Sequence, residues 1–294
     1  MTLLEAIVLA VVQGLTEFLP ISSTAHLILV PWLAGWQDPG LTYDVALHAG
    51  TLVAVIAYFA RDWWALFTDA FRRLATAVWS RKTEPALAMS FPKPPALSRQ
   101  AQLNARLLQV LVVATLPAAF VGYFLESSAE TVFRSPVLIA GMLIGVALLM
   151  GVADRRGRLV RKGGSIGFKD GLVIGLAQAV AIVPGTSRAG ITIAAGLFRN
   201  LTRESAARFS FLLATPIIGG ATLKKALEVW QQGFPAGSSA VDFAAGFAVS
   251  AVVGYAAIAL LLRYLQVRTL KIFVAYRLVL GVIILGVEFL RSSA

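Results

Sequence analysis

Two short polar stretches, placed about half a chain apart, interrupt apolar segments of this 294-residue sequence. The first, EFLPISSTAH, occupies residues 17–26 and contains a carboxylate, a proline, three hydroxyls and an imidazole. The second, PGTSRAG, occupies residues 184–190 and contains two hydroxyls and a guanidinium. Ionisable groups inside apolar segments are expensive and therefore indicate a functional site. Together the stretches offer a fixed cation, several donors, a carboxylate and a nucleophile, which suits phosphoryl transfer.

The spacing within the first stretch predicts a division of roles. Pro20 should end one half-helix, which puts the following hydroxyls at the start of the next, where backbone donors converge on a phosphate. Ser23 and His26 are three residues apart and would share a helix face. Either Ser23 attacks with His26 as its base, which we favour, or His26 attacks and Ser23 donates a hydrogen bond. Glu17 would reach the site from the other half-helix, as a metal ligand or as the group that orients His26.

The second stretch predicts an anion-binding loop. Arg188 is the only basic residue that we assign to membrane depth, and its planar fork can hold a phosphate through two hydrogen bonds. Gly185 and Gly190 would let the backbone approach a ligand closely. The alternative reading is that Arg188 is a structural counter-ion for Glu17. For Asp44 and His48, which follow the first stretch, we favour a structural role, with a contact that supports the site residues as the alternative.

The elements that carry these residues must lie in a membrane. Hydrophobic residues make up 58% of the chain and charged residues only 14%, against about 25% charged in soluble domains. The absence of cysteine excludes disulfides and thiolate chemistry. Segments of sufficient length predict six transmembrane helices over residues 43–60, 107–125, 135–153, 205–227, 239–262 and 272–290.

The distribution of positive charge predicts the topology. Residues 1–60 contain no Lys or Arg, whereas 61–106 contain eight and 155–169 contain six. Such clusters between apolar segments mark cytoplasmic loops. The net charge of +11 is therefore explained by the membrane topology, and we expect no nucleic-acid partner. Both termini are then expected on the outer side. The start of the chain lacks a basic region and a cleavage site and is interpreted as mature protein, and 80–100 as a Pro-rich cytoplasmic loop.

The two remaining apolar regions, 3–34 and 168–200, are each interrupted at their middle. The first region has no positive charge at either end, and the second has positive charge at both ends. Each region should therefore enter and leave the membrane on one side, as a re-entrant helix pair. GLTEFLPISSTAH and GLAQAVAIVPGTSRAG align from Gly14 and Gly175, with Ser23 opposite Ser187 after a three-residue insertion. Each is followed by three predicted transmembrane helices. We therefore predict one all-α polytopic membrane domain with an inverted-topology repeat, of which one half covers about 1–153 and the other about 168–294.

The two polar stretches resemble the signature motifs of the undecaprenyl-diphosphate phosphatase family, the bacitracin-resistance phosphatases. FSFLLATPIIGGAT and FVAYRLVLG are similar to later helices of that family, so the resemblance covers essentially the whole chain. It implies hydrolysis of undecaprenyl diphosphate to undecaprenyl phosphate and inorganic phosphate. That reaction recycles the lipid carrier of cell-wall synthesis and confers bacitracin resistance. The family fold has two re-entrant pairs and six transmembrane helices, usually in a homodimer.

The resemblance also implies which residues form the site. Glu17, Ser23, His26 and Arg188 fall on its catalytic positions. Binding of substrate is expected of seven others, namely Gln13, Ser22, Thr24, Gly185, Thr186, Ser187 and Thr192. Gln13 stands where many members have glutamate, which weakens any scheme with two glutamates holding a metal.

The implied cofactor is a divalent cation, Mg²⁺ or Ca²⁺, with Glu17 as a ligand and with substrate oxygens completing the set. The implied partners are a polyprenyl diphosphate lipid and membrane lipids. The expected location is the bacterial cytoplasmic membrane, with the site open to the periplasm. The alternative function is a transporter or flippase for an anionic lipid, because inverted repeats with broken helices are also transporter architecture. The type-2 phosphatidic acid phosphatases are disfavoured, since no second histidine follows SRAGITIAAG.

Overall fold

The computed structural model describes residues 1–37, 39–82, 98–130, 135–232 and 239–293, and the regular structure in these ranges is helical. Residues 83–97, the centre of the predicted Pro-rich loop, lie outside the described ranges. One short 3₁₀ turn, Gly163–Ser165, precedes the seventh α-helix. The α-helices are, in order, α1 Leu3–Phe18, α2 Ser23–Ala34, α3 Leu41–Tyr58, α4 Ala60–Lys82, α5 Arg99–Glu130, α6 Pro136–Arg156, α7 Phe168–Val180, α8 Arg188–Phe198, α9 Arg203–Gln232, α10 Ala240–Val267 and α11 Lys271–Ser293.

The helices agree with an all-α polytopic membrane protein. Among the described residues, α5, α6, α9, α10 and α11 are each long and apolar enough to cross a bilayer. The remaining predicted transmembrane segment, 43–60, corresponds to α3. This helix is long and apolar enough to cross a bilayer only when it is counted together with α4, and the two helices are bent by 71° relative to each other. The sequence analysis did not predict α4. This helix exposes one apolar stripe, made of Trp64, Phe67, Phe71 and Leu74, at the spacing of an amphipathic helix.

The first predicted break lies between α1 and α2. Thr2 and Glu5 form a capping box at the start of α1, and the helix ends before Pro20 because a proline disfavours helical backbone in the residue that precedes it. Leu19 is accordingly extended, with φ −67° and ψ 139°. Leu27 of α2 joins the same buried cluster as Leu9 and Ala10 of α1. The chain therefore turns back on itself, as a re-entrant pair requires.

The second predicted break lies between α7 and α8, and an ion-pair cluster shows that this chain segment also turns back. Asp170 at the start of α7 accepts a hydrogen bond of 2.7 Å from Nε of Arg199, which directly follows α8. Arg161 donates both to Asp170, at 2.7 Å, and to the Arg199 carbonyl, at 2.9 Å. The entrance and the exit of this pair are thus held at one place.

The packing relates the two halves of the chain as an inverted repeat would. Helix α1 packs on α10 and α7 packs on α5, while α3 pairs with α9 and α6 with α11. The aligned glycines lie at equivalent crossings: a Cβ on Gly14 would meet Val253 of α10 at 2.7 Å, and one on Gly175 would meet the carbonyl oxygen of Ala114 in α5 at 2.2 Å. The limits 1–153 and 168–294 of the two halves stay a prediction.

The register of the repeat differs by one residue from the sequence alignment. Ser22 precedes α2 with φ 78° and Ser187 precedes α8 with φ 65°. Both are left-handed, a conformation that is rare for residues other than glycine. The shared backbone turn pairs Ser22 with Ser187, and not Ser23 with Ser187. The alignment was wrong here because chemical likeness outweighed backbone geometry, which the sequence does not display.

Candidate active site

The two breaks meet at one pocket of about 350 Å³. Both broken helices contribute to its wall, as an inverted repeat with a central site would require. Helix α3 closes a further side through Asp44 and His48. Seven of the residues predicted for the site line this pocket: Glu17, Ser22, Ser23, Thr24, Gly185, Ser187 and Arg188.

Glu17, in the last turn of α1, is the centre of the polar contacts. Its Oε1 accepts a hydrogen bond from Arg188 across the two repeats. Its Oε2 accepts from Oγ of Ser23 at 2.6 Å and from Nε2 of Gln13 at 3.1 Å, and Nε2 of His48 lies 3.4 Å away. The carboxylate is only 6% exposed. A buried charge of this kind is tolerated because it is paired and hydrogen-bonded.

Arg188 is the first residue of α8 and uses one of its terminal nitrogens for Glu17. The other, Nη1, is buried and has no hydrogen-bond partner among the described residues. The guanidinium thus serves as the counter-ion that the alternative reading proposed, and it also keeps a donor for a ligand. An unsatisfied charged donor beside a pocket is costly, and an anion in the pocket would relieve that cost.

The hydroxyls of the second break are mostly committed to the backbone. Oγ of Ser187 accepts from the Gly190 amide at 3.1 Å and caps α8. Oγ1 of Thr186 donates to the Val180 carbonyl at 3.3 Å. Oγ1 of Thr192 donates to the Arg188 carbonyl at 2.7 Å, and the residue does not line the pocket. These contacts hold the loop in shape, and substrate binding by the three residues stays a prediction.

Gly185 lines the pocket, but the space left by its missing side chain is used elsewhere. Its φ of 86° favours glycine, and a Cβ would come within 2.5 Å of the Ile139 carbonyl oxygen in α6. Glycine is therefore required by the packing of the loop on α6. The close approach that the sequence suggested is to protein backbone.

His26 does not line the pocket that Ser23 lines. Its Nδ1 lies 2.7 Å from the Ser22 carbonyl oxygen, and its Nε2 lies 2.6 Å from the hydroxyl of Tyr276 in α11. The ring also stacks on Tyr276, with 5.7 Å between centroids. Oγ of Ser23 is bonded to Glu17 instead. The pairing of Ser23 with His26 was inferred from helical spacing, but both nitrogens of the ring are engaged by other partners.

His48 is a site residue to which the sequence analysis gave a structural role. Its Nε2 faces Glu17, while its Nδ1 lies 2.7 Å from the Asp44 carbonyl oxygen. The ring thus bridges α3 to the carboxylate of α1. A signal was present, because an imidazole inside an apolar transmembrane segment is rare.

Arg277 corrects the prediction that Arg188 is the only basic residue at membrane depth. It lies in the transmembrane helix α11 and is fully buried. Its guanidinium donates to the Pro20 carbonyl at the first break, to the Gly185 and Thr186 carbonyls at the second, and to the Met142 and Leu143 carbonyls in α6. One side chain therefore ties both breaks to the scaffold. We missed it because it stands alone in an unbroken helix.

The residues that the structure describes do not form a metal cage of their own. Among the described residues no group of three His, Asp or Glu side chains is placed to hold a metal ion. Both oxygens of Glu17 already accept hydrogen bonds from protein donors. A divalent cation in this pocket would need most of its ligands from a bound anion and from water.

The fold and the pocket define an integral membrane protein with two discontinuous helices that hold a buried acid, a hydroxyl and a guanidinium at one anion-compatible site. The chain matches the family described as bacitracin resistance protein BacA over residues 6–283, and it belongs to that family.

Several curated relatives named undecaprenyl-diphosphatase cover nearly the whole chain. The protein from Pelotomaculum thermopropionicum is 46% identical over 292 residues, which is 99% of each chain. That from Desulforudis audaxviator is 45% identical over 288 residues, 98% of each chain. That from Geobacter sulfurreducens is 45% identical over 292 residues, covering 99% of this chain and 100% of its own. Family membership thus extends over both broken helices.

Proposed function

We propose that this protein hydrolyses undecaprenyl diphosphate to undecaprenyl phosphate and inorganic phosphate in a bacterial membrane. The observation that carries the proposal is the contact of Ser23 with Glu17 at 2.6 Å, beside an arginine that retains a free donor. The family and the relatives named undecaprenyl-diphosphatase support the same substrate. Recycling of the lipid carrier and resistance to bacitracin follow from this activity.

The geometry favours attack by Ser23 with Glu17 as the proton acceptor. Oγ of Ser23 forms a bond to the terminal phosphorus while its proton moves to Oε2 of Glu17. The bond between that phosphorus and the bridging oxygen breaks, and undecaprenyl phosphate departs with the electron pair. Water then attacks the phosphorus of the phosphoserine, and the bond from phosphorus to Oγ of Ser23 breaks. Oγ recovers the proton held by Glu17, and inorganic phosphate leaves as H₂PO₄⁻ with both protons of the water. Arg188 neutralises charge on the phosphoryl oxygens, which is the principal demand of this chemistry.

The test is phosphate release by the purified protein in detergent, together with trapping of the enzyme by substrate labelled in the terminal phosphate. One sample is quenched in acid, which preserves phosphoserine, and a second in alkaline detergent, which preserves phosphohistidine. We expect turnover by the wild-type protein and covalent label on Ser23. Turnover that leaves no label on Ser23, with His26 labelled instead, would replace the serine in this scheme. An absence of turnover under all metal conditions would refute the phosphatase itself.

We propose that a divalent cation, Mg²⁺ or Ca²⁺, enters bound to the diphosphate, with Glu17 as at most one protein ligand. The contacts of Glu17 with protein donors support this order of binding. Titration with Mn²⁺ monitored by electron paramagnetic resonance should detect tight binding only when a non-hydrolysable diphosphate analogue is present. Equally tight binding without the analogue would contradict it.

The location proposed is the cytoplasmic membrane, with both termini and the pocket on the periplasmic side. The absence of Lys and Arg from residues 1–60 supports this orientation. A reporter fused after Ala294 should be active only outside the cytoplasm, and activity inside it would invert the topology. The homodimer implied by the family resemblance is tested by light scattering in detergent.

A transporter of anionic lipid is the second candidate, because discontinuous helices in inverted repeats are also found in transporters. Passive binding of a phosphate does not require a hydroxyl bonded to a carboxylate. Lipid movement in reconstituted vesicles by the Ser23→Ala variant would show that transport is separate from hydrolysis.

A further inference from the structure

Gln178 lies in the last turn of α7 and lines the same pocket as Glu17 and Arg188. The sequence analysis did not include it in the site. Gln178 is 3% exposed, so its amide is removed from solvent as completely as the carboxylate of Glu17.

Neither polar atom of this amide is satisfied by protein. Nε2 and Oε1 of Gln178 are both buried and have no hydrogen-bond partner among the described residues. Buried polar groups in folded proteins are nearly always hydrogen-bonded, and an unpaired one requires an explanation. Nη1 of Arg188, on the wall of the same pocket, is in the same state. Two unpaired donors around one cavity point to a ligand that carries acceptors.

The internal repeat relates Gln178 to a residue of the other broken helix. Counted from the aligned glycines at 14 and 175, Gln178 is the counterpart of Glu17 in the other half of the chain. The two helices therefore present an acid and its neutral isostere to one cavity. A second carboxylate would repel a polyanion, whereas the amide supplies two N–H donors and one acceptor.

We propose that Gln178 is a substrate-contacting residue, whose Nε2 donates to a non-bridging oxygen of the diphosphate, next to the bond from Nη1 of Arg188. Oε1 accepts from a water molecule or from a protonated phosphate oxygen. This assignment rests on the proposed phosphatase function and adds a neutral donor to its site.

Two isosteric variants test the assignment against a structural role. Gln178→Leu removes the amide at nearly constant volume, and Gln178→Glu replaces the donor by a negative charge. The matched control is Val173→Ala, an exposed position on the same helix. We measure kcat/KM with undecaprenyl diphosphate, the apparent Tm of the ligand-free protein, and affinity for a polyprenyl methylenebisphosphonate, which cannot be hydrolysed.

We expect Gln178→Leu to lose roughly 10- to 100-fold in kcat/KM and in affinity for the analogue, the range of a hydrogen bond to a charged group. Its apparent Tm should equal or exceed that of the wild-type protein, because no protein hydrogen bond is removed. Gln178→Glu should lose more kcat/KM and more affinity for the analogue than Gln178→Leu. Val173→Ala should change neither kcat/KM nor this affinity by more than twofold.

The inference is overturned if Gln178→Leu keeps kcat/KM and affinity within twofold of the wild-type values. It is also overturned if the loss is accompanied by a matching fall in Tm, which would mark a structural residue. A wild-type protein that binds the analogue without any turnover would refute the phosphatase, while the affinity of Gln178→Leu for the analogue would still decide the contact.

Discussion

The break between α1 and α2 brings a carboxylate and a hydroxyl bonded to it to the pocket, whereas the break between α7 and α8 brings a guanidinium and a helix start capped by its own serine. The two breaks share a left-handed serine before the second half-helix. The proposed nucleophile and its proton acceptor come from the first break, and the positive charge comes from the second. The two breaks share one backbone plan and thus form an acidic half and a basic half of the site.

The two helix pairs also differ in the contacts that close their bases, which are apolar in one pair and ionic in the other. The base of the α1–α2 pair is closed by apolar contacts, because Met1 and Trp36 pack on the buried cluster that contains Ala6 of α1, whereas the α7–α8 pair is closed by Asp170 with two arginines. Burial alone would raise the pKa of Asp170, but hydrogen bonds from Arg161, the Gly167 amide and Arg199 hold it well below its ordinary value. The half that carries the fixed cation is therefore itself tied down by ion pairs.

The sharpest test of the acidic half compares Ser23→Ala with His26→Ala. Ser23→Ala should reduce kcat on the order of 10³-fold or more, as loss of a nucleophile does in other hydrolases. His26→Ala should lose less, because its ring contacts Tyr276 and the Ser22 carbonyl. Both are measured by phosphate release at saturating substrate. The opposite ranking would assign the attack to His26 and return Ser23 to the role of a donor.

The corresponding test of the basic half is Arg188→Lys. Lysine keeps the charge but lacks the planar fork that bonds Glu17 and a phosphate at once. We expect kcat/KM to fall about 100-fold, with Arg188→Ala lower still. Retention of near-normal turnover by Arg188→Lys would reduce the guanidinium to a generic counter-ion and remove the distinction between the halves.

Arg277 connects the halves, and its replacement tests whether they depend on one another. Arg277→Lys leaves too few donors for carbonyls on both breaks and α6, and unsatisfied buried carbonyls cost about 1–3 kcal/mol each. We expect a total loss of roughly 3 kcal/mol in stability, read as a lower Tm in detergent. Arg263→Lys, at an exposed position of α10, is the control and should leave Tm nearly unchanged. An unaltered Tm for Arg277→Lys would show that the breaks hold their shape independently.

The smallest effect separates the two left-handed serines. Ser22→Gly relieves a strained backbone and removes no side-chain cap, since none is formed there. It should therefore raise stability by up to about 1 kcal/mol. Ser187→Gly relieves similar strain but loses the bond to the Gly190 amide, so its stability should change less. Equal gains in Tm for the two variants would mean that the cap contributes nothing.

Residue types and their periodicity were sufficient to predict most of the helices of this protein and the position of both breaks. The apolar lengths predicted the five helices that are long enough to cross a bilayer, and also α3, which qualifies only together with α4. The polar interruptions predicted both broken helices and the meeting of Glu17 with Arg188. These features are local, because the length of an apolar run and the place of a proline are written in consecutive residues.

Only the tertiary structure decided which partner each side chain takes. His26 has the helical spacing for Ser23, yet α11 approaches from 250 residues away and places Tyr276 on the ring. His48, Gln178 and Arg277 stand on unbroken segments or outside the recognised motifs, and they reach the site or its support through helix packing. Such contacts depend on which helices cross and at what rotation. Local sequence patterns do not give the rotation of each helix about its axis, because that rotation is set by the simultaneous packing of every helix in the bundle.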